Sequence, residues 1–123
     1  MKFKDINGLN DAQMENGIIE SVTLSIADHG CLTAWIGIKF DCGGCSFGGF
    51  HLGKAEGSNL SEKNYAAEWI VRCLNVLGRE RWESLPGTPL RCLHGGLGHI
   101  IYAIGNHLKD DWFCPRIEFK AKI

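Results

Sequence analysis

Proline is scarce in this chain, long apolar runs are missing, and charge of neither sign dominates. Three prolines among 123 residues exclude a proline-rich spacer or polyproline ligand. No apolar run approaches the ~20 residues that a bilayer-crossing helix needs. The opening Met1-Lys2-Phe3-Lys4-Asp5 lacks the apolar core of a signal peptide. A cytoplasmic location is therefore expected, with no membrane role. Thirteen Lys and Arg against fourteen Asp and Glu give a net charge of -1. With no basic stripe there is no electrostatic footprint for duplex nucleic acid, and the same balance excludes an acidic surface mimicking DNA.

What is present is an ordinary globular composition, with 45% hydrophobic and 22% charged residues. At this length a chain forms one domain and buries about two-thirds of the surface it exposes when unfolded. A core can form without disulfide staples. Six cysteines in a reducing compartment are thiols or metal ligands. Sixteen glycines are the more unusual feature, and four of them fall in Asp41-Cys42-Gly43-Gly44-Cys45-Ser46-Phe47-Gly48-Gly49-Phe50.

Residues 1–13 are largely polar, with only Ile6 and Leu9 as anchors, and read as an N-terminal arm, loose or docked late, ahead of a single domain over 14–123. Glu20, Val22, Leu24 and Ile26 alternate with Ser21, Thr23 and Ser25. After the turn signal Asp28-His29-Gly30, Leu32 to Phe40 alternates again, which predicts a β-hairpin. A third strand is expected over Phe47–Leu52. With Ser61 as N-cap, Tyr65, Ala66, Trp69, Ile70, Cys73, Leu74 and Leu77 form a helical stripe that Gly78 ends. Leu90–His94 and His99–Asn106 read as strands around a Gly-rich loop, and Arg116–Ile123 alternates as a final strand. The expected architecture is α+β: an antiparallel sheet of five to six strands, in β-β-β-α-β-β-β order, packed on one amphipathic helix.

The Gly/Cys run admits three readings, a bulged strand, a metal knuckle or a ligand lip, and its two thiols could also close a redox ring. Cys42 and Cys45 have zinc spacing. Two further ligands would have to come from Cys31, His51, Cys92, His94, His107 or Cys114, and no second Cys-x-x-Cys supplies them. A redox pair needs a helix N-terminus to lower the thiol pKa, and this pair precedes a strand. Ordinary thiols in a Gly-rich strand are the preferred reading, without a cofactor; zinc at Cys42/Cys45 is the alternative. No local signature marks any cysteine as a nucleophile, so a cysteine-dependent enzyme is a further alternative. Gly95-Gly96-Leu97-Gly98 lacks the Lys-Ser/Thr and following helix of a phosphate loop, although glycine loops can form anion nests. Aromatic residues beside Arg are typical of binding hot spots. Adjacent Trp112 and Phe113 point to opposite faces of a strand, which exposes one of them unless both sides are covered. On these grounds the candidate ligand or partner residues are Trp35, Phe47, Phe50, His51, Trp112 and Arg116.

Several phrases carry a resemblance: Ala34-Trp35, the Gly-Gly-x-x-Phe-Gly-Gly-Phe core of 41–52, Arg72-Cys73-Leu74, Trp82-Glu83-Ser84-Leu85-Pro86-Gly87 and Ala103 to Phe113. Over about residues 14–119 the chain resembles a set of small, uncharacterised phage and prophage proteins. That resemblance implies a small non-enzymatic accessory protein acting in the host cytoplasm. It would bind a host protein or sequester a small, nucleotide-like ligand, as in anti-CRISPR action or signal capture. In that set the glycines and the Phe-Gly-Gly-aromatic phrase are more typical than the cysteine pair. An outward Trp35 and a two-faced terminal strand suggest a homo-oligomer.

Overall fold

The computed structural model describes residues 1–6, 13–28, 31–40, 43–48, 53–54, 66–95 and 101–119. The fold is mainly β, an antiparallel sheet with two short α-helices. Its strands are β1 (Gln13–Asp28), β2 (Cys31–Phe40), β3 (Gly43–Gly48), β4 (Gly53–Lys54), β5 (Pro89–His94), β6 (Ile101–Gly105) and β7 (Trp112–Phe113). The helices are α1 (Ala66–Leu77) and α2 (Pro115–Glu118). Along the sheet the order is β3-β2-β1-β5-β6-β7, and β4 pairs with β2 beside β3.

The alternation in the first two strands produces the expected hairpin, with Val22 opposite Ile36, Thr23 opposite Trp35 and Leu24 opposite Ala34. β1 begins earlier than its own pattern indicates. Its first part, Gln13 to Ile18, pairs with β5, while Ile18 to Asp28 pairs with β2. The register slips between Ile19 and Ser21, and such a slip bends a strand and increases its twist. The sheet coils far enough for β3 to touch β6, although three strands separate them in the sheet order.

The main core fills this concave side. Ile19, Ile36, Ile38, Phe47, Leu90, Ile104 and Phe113 meet Trp69, Cys73, Val76 and Leu77 of α1. Trp69 stacks on Phe47 at 5.3 Å between ring centroids. α1 ends as its sequence requires. Gly78 has φ of +68°, its N–H donates to the Asn75 carbonyl at 3.2 Å, and the Arg79 N–H donates to the Leu74 carbonyl at 2.9 Å. Those two bonds satisfy carbonyls that the helix leaves open. A second cluster covers the opposite face of β5–β7. It joins Leu93, Ala103, Trp112 and Cys114 to Ile6, with Met1, Phe3 and Ile117 packed alongside.

Two expectations need correction. The third strand runs over Gly43–Gly48 rather than Phe47–Leu52, because glycines here pair edge-on with Trp35–Phe40. The expected terminal strand is instead the single turn α2. Pro115 occupies its first position, where a fixed φ and a missing N–H suit a helix start. Residues 120–123 lie outside the described residues, as does the expected N-cap Ser61. Met1–Ile6 is packed onto the second cluster. The Met1 ammonium donates to the Trp112 carbonyl at 3.0 Å, and the Trp112 N–H donates back to the Met1 carbonyl at 2.8 Å.

Candidate functional site

Among the described residues, those singled out by sequence do not converge. Trp35 stands on the outer face of β2, 38% exposed. Its cross-strand neighbours Thr23 and Gly48 are too small to cover it. Phe47 and Trp112 are fully buried, which corrects their assignment as contact residues on the surface. Phe47 lies in the main core. Trp112 is covered on one side by Phe3, 5.4 Å away between ring centroids, and carries the Arg91 guanidinium at 5.0 Å. The neighbouring Phe113 is also buried, because two separate clusters cover the two faces of β7. Arg116 is exposed, with its guanidinium 4.7 Å above the Tyr102 ring. Phe50, His51 and Cys42 lie outside the described residues.

Three of the described cysteines, Cys73, Cys92 and Cys114, have environments that suppress thiolate chemistry. Burial pushes the Cys92 thiol from 9.0 up to about 12, with the nearby Glu15 carboxylate and Cys45 adding to the rise. Burial likewise raises Cys73 far above the usual range and Cys114 above its ordinary value. A thiol must ionise to act as nucleophile or metal ligand. At neutral pH these three are neutral, space-filling groups. Cys92 donates weakly to the Glu15 carbonyl at 3.6 Å. Glu15 also places its carboxylate 3.4 Å from His94 Nε2, and His94 stacks on Phe40. Cys45 is half-buried on β3. Among the described residues no three His, Cys, Asp or Glu side chains gather as a metal site.

Described residues form two concave regions of interest. The first lies between α1 and α2, encloses about 350 Å³ and is lined by Ala67, Glu68, Val71, Arg72, Glu118 and Phe119. Its cation is committed. Arg72 Nε donates to Glu118 Oε1 at 2.8 Å, and Nη2 donates to Glu118 Oε2 at 3.2 Å and to the Trp112 carbonyl at 3.1 Å. The Glu118 hydrogen bond, followed by the Coulombic attraction of that carboxylate, raises the Arg72 pKa against the opposing effect of burial. This guanidinium fastens α1 to β7 and α2.

The second region encloses about 560 Å³ where β2, β1 and β5 run side by side, and its lining includes Asn16, Ile18, Lys39, Phe40, Pro89 and His107. Strand register builds it. Ile18 is the residue opposite both Lys39 and Pro89, giving a row across three strands with a cation at one end. His107 arrives from the turn after β6. That turn is fixed by Asn106, whose Oδ1 accepts from the Leu108 and Lys109 N–H groups at 2.8 and 3.0 Å. Asn106 Nδ2 donates to the Val76 carbonyl at 3.1 Å, and its own carbonyl accepts from Arg91 Nε at 2.9 Å. Ile18 is 53% exposed, so a large aliphatic surface faces water inside a concavity. Among the described lining residues there is no carboxylate. Sequence reading missed these positions because four separate segments supply them, and no short motif links them. Comparison with protein-family models, curated proteins and solved structures finds no match for this chain.

Proposed function

We propose that this protein is a non-enzymatic binding protein that captures a small organic ligand in the cleft around Ile18. The observation that carries this reading is the cleft itself. Its volume of about 560 Å³ falls in the range of small-molecule sites, which combine apolar walls with a few polar groups. Ile18 and Pro89 supply apolar wall, while Asn16, Lys39 and His107 supply polar groups. The raised thiol pKa values at Cys73, Cys92 and Cys114 weigh against a cysteine-dependent enzyme. In the setting that the phage resemblance implies, the protein works in the host cytoplasm and sequesters a nucleotide-like signal as a counter-defence. The scaffold for this role is an α+β arrangement in which the coiled sheet packs on the amphipathic α1.

A thermal-shift screen of nucleosides and nucleotides tests the reading. At least one compound is expected to raise the melting temperature, to be recovered chemically unchanged, and to lose its effect in Ile18→Trp, which fills the cleft. A screen without stabilisation, a ligand unaffected by Ile18→Trp, or turnover of the ligand would overturn it.

A further inference from the structure

We infer that the cleft around Ile18 selects organic anions, specifically phosphate esters, and takes them with the anionic group at Lys39 and the apolar body across Ile18 and Pro89, toward His107 on the β5 side. This inference rests on the proposed capture function and adds the charge and orientation of the ligand. Three observations support it. The first is the charge of the lining: among the described residues, one lysine, one histidine and no carboxylate. In a chain whose acidic residues slightly outnumber its basic ones, a lysine with no carboxylate among the described lining residues sets this cleft apart from the other. In that other cleft Glu118 occupies Arg72, and Glu68 adds a second carboxylate to the lining.

The second observation is the spatial order of the groups. In the strand row Lys39–Ile18–Pro89, neighbouring strands stand ~4.8 Å apart, so cation and apolar surface are one strand apart. A compact inorganic anion would meet the cationic group and leave Ile18 uncovered. A neutral apolar ligand would cover Ile18 and leave Lys39 unused. A phosphate ester on a flat or apolar body satisfies both. The third observation is the positioning of His107. Its turn is tied to α1 and β5 by the Asn106 and Arg91 hydrogen bonds, which lowers the ordering cost of binding. Asn16 adds a polar side chain on the same strand as Ile18.

Calorimetric titration of the full chain at low salt tests the inference, using the four common ribonucleosides, their 5′-monophosphates and inorganic phosphate as probes. At least one monophosphate is expected to bind roughly tenfold or more tightly than its nucleoside, the order of effect of one charge-assisted contact. Inorganic phosphate is expected to bind weakest. Lys39→Gln should bring the monophosphate to the affinity of the nucleoside and leave nucleoside binding unchanged. Both expectations apply to protein whose melting temperature matches the parent. Equal affinity for nucleoside and monophosphate, abolished by Ile18→Trp, would overturn the anion assignment while the capture function stands. Retention of the monophosphate preference in Lys39→Gln would also overturn it. If none of the probes binds, both the inference and the capture function fail.

Discussion

Gly48 and Gly87 both take a positive φ, +119° and +93°, but their surroundings separate the consequences of adding a methyl group. At Gly87 a Cβ would meet nothing within 4 Å, so Gly87→Ala should cost only the backbone strain of about 1–2 kcal/mol. At Gly48 the same atom would run into the Ala34 carbonyl oxygen and lie 3.0 Å from the Trp69 ring. Backbone cannot yield as a side chain can. Gly48→Ala should therefore lose more stability than Gly87→Ala in denaturant unfolding, and equal losses would refute the close approach. The buried thiols give a prediction in pH. Raised folded-state values mean that their stabilising contribution is complete below the unfolded thiol pKa near 9.0 and is lost as pH rises toward the folded values, about 12 for Cys92. Unfolding free energy should fall above pH 9, and Cys92→Ala should flatten part of that fall. Ellman's reagent should label Cys73, Cys92 and Cys114 slowly in native protein at pH 8 and rapidly after denaturation.

Among the elements, α1 shows how far a local pattern reaches. The spacing of Trp69, Cys73 and Leu77 identifies the buried face, and Gly78 marks the end. What holds that end in place is Asn106, from a turn about thirty residues later in the chain. Its side chain satisfies the Val76 carbonyl and the turn's own N–H groups together. Asn106→Ala should cost about 1–3 kcal/mol through groups left without partners. It should also loosen His107, so ligand affinity should fall even where the fold survives. A stability loss without any change in binding would separate the turn from the cleft. α2 is the opposite case. Ile117 and Phe119 alternate as a strand would, yet in one helical turn they reach different clusters, Ile117 the outer and Phe119 the main core. Alternation over so few residues cannot distinguish the two, and Pro115 was the usable signal.

At the scale of the whole molecule, the two faces of β5–β7 are both dry, and the outer layer depends on the first six residues. Ile6 is 2% exposed, and its burial joins the chain's start to Trp112 near its other end. Ile6→Ala should lose about 2–5 kcal/mol, the usual range for a buried aliphatic cut to alanine, and shift tryptophan emission to the red as Trp112 meets water. Emission and stability that stay at parental values would refute the docking of this segment. The outer layer also explains why neither Trp112 nor Phe113 is a surface anchor: the expectation of exposure assumed a sheet with one covered face.

By itself the sequence determined the local features: the hairpin of β1 and β2 with Trp35 facing outward, the apolar stripe of α1 with its stop at Gly78, and a glycine run that allows close backbone approach. Each depends on side-chain periodicity or on φ preference within a few residues, and these act before any distant contact exists. Only tertiary structure decided the rest. Pairing of Gln13–Ile18 with β5 lengthened β1, two-sided covering buried Trp112, desolvation kept Cys73, Cys92 and Cys114 neutral, and strand register set Lys39, Ile18 and Pro89 in one row. The physical reason is the same in each case: burial, pKa and cleft geometry depend on which distant segments pack together, and no local pattern in the chain encodes that.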